Sequence, residues 1–103
     1  MTVRAVWNGT VVAESADTVV VEGNQYFPPE SLRWEFFTAS RSRSLCWWKG
    51  LASYYTIVAG GLFRPDGAWC YRRTSPLARR IKGRVAFAPD VEVVDGGGDR
   101  DGV

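Results

Sequence analysis

Histidine is absent from all 103 residues. That one absence removes every mechanism built on an imidazole base, a serine–histidine pair or a histidine-ligated metal. Cysteine is scarce as well. Cys46 and Cys70 are too few for a four-thiolate zinc site. With no secretory leader behind Met1, they read as reduced thiols in a cytoplasm. No apolar run approaches the roughly 18–20 residues that a membrane span requires. Lysine is rare too, two residues against eleven arginines, and the net charge of +2 is too small to imply a nucleic-acid partner.

What is present is the composition of a folded chain, 46% apolar and 23% charged. Residues 1–94 read as a single globular domain, and 95–103 as a flexible tail rich in glycine and aspartate. Strand signals fall at 3–7 and 10–14, joined by Asn8-Gly9, a pair that tolerates the positive φ of a tight hairpin. Further strands are expected at 18–22, 32–37, 53–59, 68–72, 84–88 and 91–94. The stretch 22–25 reads as a turn, 38–44 as a polar, basic loop, and Arg64-Pro65-Asp66-Gly67 as a turn. One short helix is expected from Ser75 to Lys82. Ser75 serves as its cap, Pro76 opens it, Leu77, Ala78 and Ile81 form its apolar stripe, and Gly83 ends it. The fold class is therefore mainly β, a small bent antiparallel structure with one short helix.

Chemistry-bearing side chains concentrate in Cys46-Trp47-Trp48-Lys49-Gly50-Leu51-Ala52-Ser53-Tyr54-Tyr55. In the chemical reading, Cys46 and Lys49 share a partly desolvated pocket walled by aromatic rings. Burial lowers a lysine pKa and a neighbouring ammonium lowers a thiol pKa, so each activates the other. Gly50 lets the backbone approach a ligand closely. In the packing reading, Cys46 is an inert small hydrophobe, the tryptophans fill a core, and Lys49-Gly50 is a plain turn. Cys70 alternates with Trp69 and Tyr71 and reads as core. Arg41, Arg43 and Arg73 have the chemistry to hold a small phosphate or carboxylate. Gly60-Gly61 lacks the lysine and helix of a phosphate loop.

Four motifs stand in order: Tyr26-Phe27-Pro28; Cys46-x-x-Lys49-Gly50-x-Ala52-x-Tyr54; Ala68-Trp69-x-Tyr71; and Ile81-x-Gly83-x-Val85-Ala86-Phe87-x-Pro89-Asp90. Over about 3–94 the chain resembles the bacterial family called domain of unknown function 427. The resemblance implies a bent β-structure similar to the beta-tent of methionine sulfoxide reductase B, and it carries a nucleotidyltransferase-like label. The two aspartates one residue apart that such enzymes use for magnesium occur here only as Asp99 and Asp101, in the tail. The paired Cys-x-x-Cys zinc motifs of beta-tent relatives are absent. Trp47 stands where the family pattern has proline.

The signature makes Cys46, Lys49 and Tyr54 the expected catalytic residues. Trp48, Gly50, Trp69 and Tyr71 are the expected ligand-binding walls, with Arg33 as a partner for an anion. The expected function is a small-metabolite enzyme with Cys46 as nucleophile or acid and Lys49 as its electrostatic partner. The alternative is a non-catalytic module binding a small molecule or a protein, and a third reading is magnesium-dependent nucleotide transfer. The expected ligand is a compact anion. Metal, cofactor, nucleic acid and membrane are not expected, and exposed strand edges suggest a homodimer.

Overall fold

Glycine-led hairpins set the architecture. The computed structural model describes residues 2–95, and among these the chain is mainly antiparallel β-sheet. β1 (Val3–Trp7) turns through Asn8-Gly9, with φ of 52° and 74°, into β2 (Thr10–Ser15). β3 (Val19–Val21) turns through Glu22-Gly23 into β4 (Asn24–Tyr26). β5 (Phe37–Cys46), β6 (Gly50–Ala59) and β7 (Leu62–Tyr71) are ten-residue strands, followed by β8 (Val85–Phe87) and β9 (Glu92–Asp95). They assemble as three sheets, ordered β2-β1-β9, β3-β4 and β5-β6-β7-β8.

Alternation along β7 and β8 puts a hydrophobic layer on each face of the four-stranded sheet. Ala68, Cys70, Val85 and Phe87 point towards Val3, Ala5 and Val12 of the three-stranded sheet. Trp69, Tyr71 and Ala86 point the other way, towards Tyr26, Ala78 and Ile81. Phe27 links the two ends of the fold. It exchanges backbone hydrogen bonds of 2.7 and 2.9 Å with Val85 and sets its ring edge-on to Phe87 at 5.4 Å.

Several sequence expectations give way here. The segment read as a loop at 38–44 belongs to β5, an edge strand. Its polar character is explained by what holds it. The Ser40 and Ser42 hydroxyls donate to the Asp66 carboxylate at 2.5 and 2.7 Å, across a register break in β5 and close to one between β6 and β7. Arg64 to Gly67, read as a turn, is an irregular stretch inside β7, with Asp66 at φ 53°. The strand expected at 32–37 starts only at Phe37, because Trp34–Phe36 is a 3-10 turn. Asn24 and Gln25, read as turn, are strand. The helix expected from Ser75 to Lys82 is a 3-10 segment, Pro76–Ile81, broken at Ala78 (φ −114°), and Ser75 makes no cap bond. The expected flexible tail lies outside the described residues, except Asp95, which ends β9.

The two hydroxyl bonds hold the Asp66 carboxyl below the usual carboxylate range, with a smaller contribution from Arg64. A lowered acid stabilises the fold above its ordinary pKa, near 3.8, and loses that contribution as pH falls. Asp66→Ala is therefore expected to lower stability by about 1 kcal/mol at pH 7, and by progressively less below pH 4. Urea unfolding at both pH values measures it.

Candidate functional site

The β5–β6 hairpin builds the site. Cys46 pairs with Gly50, leaving Trp47, Trp48 and Lys49 as the connecting loop. Trp47 points outward and is 87% exposed. Trp48 turns inward, and its carbonyl accepts a hydrogen bond from the Ser75 hydroxyl. Gly50 sits at φ +121°, and a Cβ there would lie 2.5 Å from the Arg73 carbonyl oxygen. The hairpin end is thus seated directly on the chain leaving β7, and glycine is the residue that allows it.

Lys49 is the one charged residue buried among those described. Its Nζ lies 5.5 Å from the ring centroids of both Trp48 and Tyr71, within cation–π reach. The ammonium donates a hydrogen bond to the Glu22 carboxylate. Glu22 comes from the β3–β4 turn, 27 residues earlier, and holds a left-handed φ of 54°. Its side chain is 53% exposed, whereas that of Lys49 is 9% exposed. A solvent-facing carboxylate thus closes over a covered ammonium.

Phenols and a thiol complete the neighbourhood. Trp69 Nε1 donates to the Tyr26 hydroxyl at 3.3 Å, and the Tyr54 and Ser44 hydroxyls are 2.8 Å apart. The Tyr54 and Trp69 rings lie 6.3 Å apart. Cys46, half-buried, packs on the same cluster as Trp48, Tyr54 and Trp69. Burial pushes the Tyr71 phenol above its ordinary value. Lys49 pulls it back down, while Tyr26, Cys46 and Tyr54 add to the rise. Thiol and ammonium therefore both act on the Tyr71 phenol.

Lys49 departs from expectation. Burial does pull its pKa down, but the Glu22 hydrogen bond, the Tyr26 and Tyr71 phenols and the Glu22 charge together outweigh burial and raise it. Lys49 is a fixed cation at neutral pH, where the sequence suggested an amine freed for chemistry. Cys46, Lys49, Gly50, Trp48, Tyr54, Trp69 and Tyr71 gather around one hairpin end. Arg33 does not join them. It bonds the Val11 carbonyl at 3.2 Å and lies 4.0 Å from Glu14, on the β2 side of the molecule. Glu22 was missed, since its reading as a turn residue hid a partner distant in sequence. Its signal was a glutamate before Gly23, at a position that usually takes asparagine or aspartate.

Two surface cavities lie nearby in the fold. The larger, about 390 Å³, is bounded by β4 and the chain around β9. The smaller, about 180 Å³, has Trp48 as one wall. Neither is lined by Cys46 or Lys49. Both cysteines are unpaired, and burial raises the Cys70 thiol. Among the described residues no three carboxylates or thiols converge where a metal would sit. No helix among the described residues is long and apolar enough to cross a membrane.

Alkaline pH should expose these shifts. Cys70, Tyr71 and Lys49 all have folded pKa values above their ordinary ones, near 9.0, 10.0 and 10.5. In each case the unfolded chain releases its proton first, so the stabilisation is complete below the ordinary value and is lost above it. The urea midpoint is expected to be flat from neutrality to about pH 9 and to fall beyond it.

Fold and site define a small antiparallel β protein carrying a lysine clamped between aromatic rings at a hairpin end. A family model described as Domain of unknown function (DUF427) matches residues 1–98, and the chain belongs to that family. No curated protein matches the chain.

Proposed function

We propose that the chain is a cytoplasmic protein that binds a compact anionic metabolite at Lys49, with the Cys46 thiol as the group beside it. The observation that carries this reading is the covered ammonium whose counter-charge is a half-exposed carboxylate on a turn. A ligand carboxylate or phosphate can take the place of Glu22 without stranding any charge, because Glu22 returns to water. Lys49, held cationic, serves as an anchor and not as a base or nucleophile. A catalytic role for Cys46 is the second reading, supported by its partial exposure and its place beside Tyr71, which the Lys49 ammonium also faces.

Alkylation provides the test. Iodoacetate and iodoacetamide form the same S–C bond with loss of iodide, but only iodoacetate carries a charge. Cys70 is 4% exposed and will react slowly in the folded chain. The iodoacetate-to-iodoacetamide rate ratio at Cys46 is expected to exceed that of N-acetylcysteine by about fivefold, equivalent to about 1 kcal/mol of attraction. Lys49→Met should abolish the excess, and Glu22→Gln should increase it. A ratio unchanged by Lys49→Met overturns the proposal.

A further inference from the structure

A ligand site separate from the lysine is suggested by the smaller cavity, which Trp48 lines and Lys49 does not. Its walls are Val20 and Val21 of β3, Leu77, Ala78 and Ile81 of the 3-10 segment, and Trp48. The sole charged group lining it is Arg80. Val20 and Leu77 remain 52% and 74% exposed, so aliphatic side chains face water around an unfilled apolar hollow.

We propose that this hollow binds a small aryl carboxylate, with its ring against Trp48 and its carboxylate on Arg80. Size decides for a single ring. A cavity of about 150 Å³ holds benzene, and this one has about 180 Å³, room for one ring and a short substituent. The indole offers a flat face for offset stacking. Charge decides for an anion. Residues 72–84 contain no acidic residue, and among the described residues Arg73, Arg79, Arg80 and Lys82 make no ion pair. Arg84 and Arg72 are already engaged, with Asp17 and with the Tyr55 hydroxyl. A guanidinium at the rim of an apolar hollow, with no carboxylate lining it, matches a planar carboxylate at the end of a ring.

This site shares only Trp48 with the proposed Lys49 site, and the proposal goes beyond that reading without resting on it. The probes are phenylacetate, neutral benzyl alcohol, and octanoate as a flexible-chain carboxylate. Titration followed by amide and indole NMR shifts is expected to show saturable phenylacetate binding, with a dissociation constant of about 1 mM. The shifts should centre on Val20, Val21, Ala78, Ile81 and the Trp48 indole. Arg80→Gln, on an exposed side chain, should weaken phenylacetate about tenfold and leave benzyl alcohol unaffected. Val20→Phe, at the half-exposed rim, should fill the hollow and weaken both ligands at least tenfold. Octanoate should bind more weakly than phenylacetate. Absence of saturable shifts, tighter binding of octanoate, or equal loss of both ring ligands in Arg80→Gln would each overturn the assignment. Cys46 alkylation plays no part in these readouts, so the two proposals fail separately.

Discussion

Gly50→Ala is expected to lower the stability of the chain by about 3 kcal/mol, from two sources. A φ of +121° is strained for any L side chain, and strain of this kind costs about 1–3 kcal/mol. The new methyl also meets the Arg73 carbonyl oxygen at 2.5 Å, a backbone atom that cannot rotate away as a side chain can. Relief requires the β5–β6 hairpin to lift from the chain leaving β7. That movement separates Lys49 from Tyr71 and Trp48 from the Ser75 hydroxyl, so the site loosens along with the fold. Gly61→Ala is the control. Gly61 also has positive φ, +81°, but a Cβ there would meet nothing within 4 Å. Its loss should be about 1 kcal/mol. Urea midpoints at constant slope measure both. Equal losses would mean that the close approach to Arg73 contributes nothing.

The same hairpin shows what the sequence could and could not reveal. Of the two readings of Lys49-Gly50, a covered lysine among rings and a plain turn, the structure shows the covered lysine, and the family signature grouped the hairpin residues that the structure brings together. The direction of the Lys49 shift was hidden. Burial is legible from neighbours in sequence, but the opposing hydrogen bond comes from Glu22 on another hairpin. Long-range pairing through side chains leaves no periodic trace.

The misread elements fail for related reasons. β5 exposes both faces along 41–45 and takes its support from Ser40, Ser42 and Asp66, so hydroxyls stand where an alternation rule looks for apolar residues. Around Ser75 the local signals of cap, proline and apolar stripe all favour a helix. Tertiary contacts win there. The Ser75 hydroxyl is drawn to the Trp48 carbonyl, and Ala78 and Ile81 are drawn into the layer beneath Tyr71, which breaks the turn into 3-10 pieces. β1 and β2 were found at nearly their observed limits, because Asn8-Gly9 fixes where one strand stops and the next begins.

Glu22→Ala is expected to cost about 2 kcal/mol at pH 7, and Lys49→Met less than about 1 kcal/mol. The asymmetry follows from burial. Removing Glu22 strands a cation whose side chain is 9% exposed, whereas removing Lys49 releases a carboxylate already 53% exposed. Stranding one member of a fully buried pair costs about 3–5 kcal/mol. Water at the Glu22 side screens the interaction, which reduces the expected figure. Methionine matches the lysine stem and removes the desolvated charge, a replacement often neutral or stabilising. Alanine keeps the strained turn residue non-glycine, so the loss reports charge. Glu22→Asn, better suited to φ 54°, separates turn strain from charge, because it should recover part of the loss through the backbone alone. The double variant should be more stable than Glu22→Ala, since no stranded cation remains. If Lys49→Met costs more than Glu22→Ala, the lysine is a structural member of the fold. If the expected order holds, stability gives little reason for an ammonium beneath Trp48 and Tyr71. An ammonium kept there at no gain in stability is what the proposed anion site requires.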